Sequence, residues 1–231
     1  MFLSYSGVAH HSGDAYGHMR QPTVRLRTAE KKLDGFATSD KEKYYLSAPK
    51  PMSNLYSIGH GNKSVDELAA VLRHQGVAFV ADVRSSPYSR WHPEFNRERL
   101  GPQLKLHGLT YVYMGDQLGG RPSDPACYNE RGEVDYDKLV ARPDFQAGLA
   151  RLAVADGKGV RLAVMCSEAD PAQCHRSKAI GEALLKQYGI DVRHIYGAGK
   201  VRMQSQIRSR IKPYEDNLFG KEALHSAKSY R

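Results

Sequence analysis

The sequence predicts an α/β fold, a three-layer sandwich in which a mostly parallel five-stranded sheet carries helices on both faces. Three observations predict it. Short apolar runs alternate with amphipathic stretches in the order β-α-β-α-β-α-β-α-β. The runs over 77–83 and 160–166 are apolar at successive positions, as in strands covered on both sides. Polar and chemically active residues follow the strands, whereas plain glycines (Gly76, Gly108, Gly159 and Gly189) precede strands two to five.

The first strand is expected over 55–58, ending at Gly59. Ser64 and Glu67 then have the spacing of a capping box, so a helix starts there and runs to about Gln75 with Val65, Leu68, Ala69 and Leu72 on one face. Gly76 ends it. The second strand covers 77–83, and a Ser-, Pro- and Arg-rich loop fills 84–93. A helix over 96–107 and a third strand over 110–114 follow. A long loop over 115–134 contains Leu118-Gly119-Gly120; with no Lys-Ser pair after it, this is a turn rather than a phosphate-cradling loop. The stretch 135–155 is helical with a break near Pro143. A fourth strand over 160–166, a helix over 176–188 ending at Gly189 and a fifth strand over 191–196 complete the pattern.

Length and composition bound the organisation. A chain of 231 residues holds one domain with extensions or two small domains. Hydrophobic residues at 41 % and charged residues at 26 % exclude a wholly disordered, collagen-like or coiled-coil chain. Residues 1–52 lack sustained periodicity and end in Pro49-Lys50-Pro51, so a poorly ordered N-terminal extension is expected there. The α/β domain is expected over 53–197 and a basic C-terminal extension over 198–231.

No apolar run reaches the roughly 18–20 residues of a membrane span, and the N-terminus lacks the basic-then-apolar pattern of a secretory signal. Three cysteines do not make a disulfide framework. A cytoplasmic, reducing location with free thiols and no membrane partner is therefore expected.

The net charge of +9 invites a nucleic-acid partner, but it is unevenly spread. Residues 1–52 carry +3, residues 53–197 only +1 and residues 198–231 +5. The near-neutral centre argues against a duplex-binding domain. The tail cations Lys200, Arg202, Arg208, Arg210 and Lys212 read either as a nucleic-acid contact or as a solvated basic end.

Open α/β sheets bind ligands at the carboxyl ends of their strands. There the sequence places His60 and Asn62 after strand one, and Asp82, Arg84 and Arg90 at or just beyond the end of strand two. Tyr113 lies on strand three, and Cys166, Glu168, Cys174, His175, Arg176 and Ser177 lie at or beyond the end of strand four. A helix opening at Arg176 offers free N–H groups and a guanidinium to an anion, and the same field favours a Cys174 thiolate. His60, Asn62, Arg84, Arg90, Tyr113, Arg176 and Ser177 are thus candidate anion-binding residues. Asp82, Glu168, Cys174 and His175 are candidate catalytic groups.

Each has a plainer reading. Asp82 reads equally as pairing with Arg84 or Arg176, Glu168 as capping backbone N–H groups and Ser177 as a helix cap; Tyr88 and Trp91 read as stacking on a base or covering the pocket, and Trp91 also as plain packing. Cys166, Cys174, His175 and His60 are the residues that would make a metal site, but Cys-x7-Cys-His is not a standard ligand spacing, so no metal or other cofactor is assigned.

The strings IGHGNKSVDELAAVLR, ADVRSSPYSRWHPEFNRERL, YVYMGDQLGG, VMCSEADPAQCHRSKAIGEAL and DVRHI occur in that order over about residues 53–196. Together they resemble the family catalogued as domain of unknown function 488. The resemblance implies that His60, Asn62, Asp82, Arg84, Glu168, Cys174, His175 and Arg176 are signature positions. It states no activity. The expected function is an enzyme, a hydrolase or group transferase, acting on an anionic small molecule, a nucleotide or a nucleic-acid-derived substrate. A non-catalytic nucleotide or nucleic-acid binding module is the first alternative. A metal- or thiol-dependent protein using Cys166, Cys174 and His175 is the second.

Overall fold

The computed structural model describes residues 52–211, 216–217, 220–221 and 224–230. The N-terminal extension expected over 1–52 therefore lies, except for Met52, outside the described residues, as does Lys212.

The fold is α/β. Six strands form one mixed sheet: β1 (Leu55–Gly59), β2 (Phe79–Asp82), β3 (Thr110–Tyr113), β4 (Leu162–Cys166), β5 (Arg193–Tyr196) and β6 (Lys200–Met203). Their spatial order is β3-β2-β4-β1-β5-β6. The first five run parallel, and β6 pairs antiparallel with β5, Arg193 opposite Met203. This corrects the expected five-stranded sheet. The sixth strand is hard to read from sequence because Lys-Val-Arg-Met is only four residues long, carries two cations and falls in the stretch expected to be a basic extension. It is a short, mostly exposed edge strand with two cations, a composition that blunts edge-to-edge pairing.

Both central strands, β1 and β4, are buried at every position. Their side chains divide between two apolar clusters. Leu55, Leu162, Val164 and Cys166 join one with Phe145, Leu149 and Leu184, while Tyr56, Ile58, Ala163 and Met165 join the other with Leu68, Leu72, Leu100 and Leu104. Successive residues point to opposite sides of a strand, so a segment buried on both is apolar almost throughout, with Ser57 the polar exception in β1.

The helices follow from local chemistry. In α1 (Val65–His74), the Ser64 hydroxyl accepts the Glu67 N–H at 3.1 Å and the Glu67 carboxylate accepts the Ser64 N–H at 2.8 Å, the reciprocal capping expected from the spacing. Gly76, at φ +68°, turns the chain out of that helix. The chain continues through α2 (Arg97–Leu106) and a single helical turn, α3 (Gly115–Leu118). The break at Pro143 separates α4 (Tyr136–Val140) from α5 (Pro143–Gly157), with the proline in the first turn of the later helix. After β4, a π-helical segment (Arg176–Gly181) runs into α6 (Glu182–Tyr188), and α7 (Gln204–Ile207) follows β6. No helix among the described residues is long and apolar enough to cross a membrane.

Candidate functional site

Adjacent strands β1 and β4 send their following segments to opposite sides of the sheet order, since β1 leads to β2 and β4 leads to β5. Such a switch point leaves a crevice at the carboxyl edge. A cavity of 770 Å³ opens there, lined from four segments by His60, Arg84, Gly120 and Cys166 among others, and by Lys228 and Tyr230 near the C-terminus.

The loops above the sheet are zipped together. His60 N–H donates to the Cys166 carbonyl at 2.9 Å and Gly61 N–H to the Ser167 carbonyl at 3.0 Å, so the β1–β4 pairing continues past the strands. The Glu168 backbone crosses so close to Gly59 that a Cβ there would overlap its carbonyl oxygen. Glycine at 59 is what lets the two loops meet.

At the cavity floor stand two thiols and an imidazole. His175 Nδ1 lies 3.6 Å from Cys174 Sγ and 3.9 Å from Cys166 Sγ. One ligand atom from each of the three residues falls within 4.8 Å of the others, and all three are buried yet line the cavity. Asp170 caps the short 3₁₀ turn Pro171–Gln173, and the Pro171 carbonyl accepts the Cys174 N–H at 3.0 Å, which aims Cys174 back at β4. Gly120 closes on the imidazole from the other side. A Cβ at that position would stand 2.6 Å from the His175 ring.

Burial disfavours either thiolate. For Cys174 that is more than offset by the hydrogen bond from Cys166 and by the Arg176 charge and N–H groups, so its thiol is held low. Cys166 is held high by its bond to Cys174 and by burial, which outweigh the opposing pull of His175.

Arg176 is the largest fully buried side chain among the described residues. Its Nε donates to Cys174 Sγ at 3.4 Å, Nη1 to Ser57 Oγ at 3.2 Å and Nη2 to the Glu168 carbonyl at 2.5 Å. A polar chain supports it. The Ser57 hydroxyl donates to His194 Nδ1 at 2.6 Å, and His194 Nε2 donates to Gln204 Oε1 at 2.7 Å. That arrangement needs a neutral His194. Burial and the Arg176 charge lower its pKa to about 3.

Of the predicted residues, His60, Asn62, Arg84, Glu168, Cys174 and His175 share the cavity with Cys166. The others stand elsewhere. Asp82 is wholly buried and spent on structure. Its carboxylate accepts Arg84 Nε at 2.9 Å, Arg84 Nη2 at 2.6 Å, the Arg84 N–H at 3.1 Å and the Tyr111 hydroxyl at 2.8 Å. Its plainer reading, as the partner of Arg84, is therefore the one realised. Glu168 is half exposed and pairs with Lys228 at 3.5 Å, so no two-carboxylate acid–base pair is assembled.

Arg176 and Ser177 lie beneath the cavity rather than on its wall; Ser177 donates to Gln204 Oε1 at 2.9 Å. Arg90 is exposed outside the lining. Tyr113 donates to the Ser85 carbonyl and its ring lies under Arg97, in a smaller neighbouring cleft. His60 stands apart from the thiols. It stacks on Phe95 at 4.1 Å, donates from Nδ1 to the Gly61 carbonyl, and burial and the Arg84 charge lower its pKa to about 4.

Sequence reasoning missed Arg121, Lys228 and Tyr230 on the cavity wall and the Ser57–His194–Gln204 chain beneath it. A polar residue at the centre of a buried strand was the available signal for Ser57 and His194. Gln204 and the C-terminal residues carried none. The tail cations are partly used within the fold, since Arg208 pairs with Glu182 at 3.1 Å and Arg210 with Asp170 at 2.8 Å.

Against family models, residues 64–184 match Domain of unknown function DUF488. Neither a curated protein nor a solved structure matches the chain.

Proposed function

The chain belongs to the DUF488 family, and from its cavity we propose an enzyme, a hydrolase or group transferase acting on an anionic, nucleotide-like substrate. One observation carries this reading: Cys166, Cys174 and His175 converge on the wall of a cavity large enough for a mononucleotide. Nucleophilic or ligating sulfur, an imidazole and a confined space are a reacting centre's parts.

Charge favours an anion. Arg84, Arg121 and Lys228 line the cavity against one lining carboxylate, Glu168. Asp82 neutralises Arg84 and Glu168 pairs with Lys228. Arg121 stacks on Tyr230 at 4.2 Å and pairs with no acid among the described residues, so its charge is available to a ligand. Tyr88, exposed on the lining, gives a planar base a surface to stack on.

Incubation with nucleoside monophosphates and short single-stranded oligonucleotides, followed by chromatography of the products, tests the proposal. Wild type should convert at least one of them. Cys174→Ala should abolish conversion while AMP still raises the melting temperature, and Arg121→Ala should weaken AMP binding tenfold or more. Binding without conversion in wild type would mean a binding module. Neither binding nor conversion would remove the proposal.

A further inference from the structure

We propose that Cys166 Sγ, Cys174 Sγ and His175 Nδ1 bind a zinc-class divalent metal ion, with the fourth coordination position facing the cavity. The inference rests on the reading of this cavity as the active site and names what its reacting centre holds.

Geometry is the first support. Zinc sits about 2.3 Å from thiolate sulfur and about 2.0–2.1 Å from imidazole nitrogen, in a tetrahedron. Those bond lengths place sulfur and nitrogen ligands roughly 3.6 Å apart. The two sulfur-to-Nδ1 separations are 3.6 and 3.9 Å. A nucleophilic cysteine needs one thiol and one base. Here a second thiol comes to the same point from the end of β4, across seven intervening residues that the Asp170 cap and the Pro171 turn hold in shape.

The donor count is the second support. Three protein ligands with a cavity at the remaining position are the pattern of catalytic zinc, whereas structural zinc is closed by four. His60, the other candidate ligand on the cavity wall, falls outside this group of three. It is stacked on Phe95 and donates to the Gly61 carbonyl.

The surroundings are the third. Arg176 donates to Cys174 Sγ from beneath, the kind of outer hydrogen bond that orients a ligand and tunes a metal. Gly120 presses on the His175 ring and limits its rotation. Charge also adds up. A divalent ion with two thiolates is neutral, which leaves the buried Arg176 cation without an acidic partner among the described residues. An anionic group in the open position would supply that missing charge, and the ion would polarise one of its oxygens.

Cobalt(II) added to the full-length, chelator-stripped protein tests this directly. One equivalent should give a thiolate-to-cobalt charge-transfer band in the near ultraviolet and the intense visible bands of a tetrahedral ion, and zinc should displace it. Cys166→Ser and Cys174→Ser should each weaken cobalt binding at least tenfold and diminish the charge-transfer band, with unchanged circular dichroism showing that the fold persists. Inorganic phosphate should shift the visible bands of the wild-type complex. Wild-type protein that binds no cobalt, or binds it as well after either substitution, overturns the metal site. Visible bands indifferent to phosphate overturn the open position. Conversion of nucleotides by metal-free protein would remove the metal and leave the active-site reading intact. A normal cobalt complex in a protein that neither binds nor converts nucleotides would do the reverse.

Discussion

Arg176 Nε lies 3.4 Å from Cys174 Sγ, and no carboxylate pairs with that guanidinium among the described residues. A buried cation without an acidic partner is costly unless its hydrogen bonds are satisfied. Here a sulfur, a hydroxyl and a backbone carbonyl satisfy it, and all three belong to the site or its support.

From sequence, Arg176 reads as a ligand contact whose removal would spare the fold. Its position beneath the cavity reverses that expectation. Arg176→Ala should lower stability by about 3 kcal/mol or more, because it opens a void and takes the guanidinium donors away from the Glu168 carbonyl, the Ser57 oxygen and the Cys174 sulfur. Urea unfolding at neutral pH measures this. A midpoint equal to wild type would show that the guanidinium is not structural.

Asp82 makes a parallel case. Four hydrogen bonds converge on its carboxylate, two of them from the Arg84 guanidinium. Removing the charge alone, in Asp82→Asn, leaves Arg84 buried beside a neutral amide and should cost about 3–5 kcal/mol. Removing both charges, in Asp82→Asn with Arg84→Met, should recover part of that loss. If the single substitution proves neutral in stability, the pairing does not hold the loop after β2.

These two residues show what was legible. The five parallel strands, the capping box and the Pro143 break follow from local patterns that packing does not override. The cluster of polar groups at the strand ends was legible too, because parallel topology puts those ends together. Which groups face the cavity was not, since Asp82 and Arg84 differ by two residues and end in different surroundings. Nor could β6 be read, because its four mostly exposed residues carry too little apolar signal to stand out from a basic tail. The Ser57–His194–Gln204 chain joins residues 137 and 10 positions apart, a relationship set by strand order rather than by spacing.

Acid should weaken the fold through two histidines. Burial and the Arg84 charge lower the pKa of His60 to about 4, and burial and the Arg176 charge lower that of His194 to about 3. The unfolded chain takes up both protons near pH 6.5, so it binds more protons than the folded chain below that pH. Each contribution is therefore complete above pH 6.5 and is lost as pH falls toward 4 and 3. The loss at His60 is on the order of 3 kcal/mol. Stability measured by urea from pH 7 to 4.5 should fall, and His194→Gln should fall less steeply over the same range. Parallel slopes for the two proteins would mean that His194 is not held neutral by the fold.

The backbone at Gly59 offers a test of how the site is assembled rather than of its chemistry. Glycine is required there by crowding, since its φ is not among the positive values that favour glycine elsewhere in the chain. A methyl group would meet the Glu168 carbonyl oxygen and carbon and the Ala169 Cα, all backbone atoms that no side-chain rotation can move aside. Gly59→Ala must therefore lift the loop after β4 away from the end of β1. The His60-to-Cys166 and Gly61-to-Ser167 backbone bonds would lengthen, and Glu168 would draw its carbonyl off Arg176. Overpacking of this kind costs about 1–3 kcal/mol, so the domain should remain folded. Amide exchange at His60 and Gly61 should accelerate beyond the change in global stability, while exchange in β2 and β3 should track it. Equal acceleration everywhere would show that the two loops are not joined through this contact.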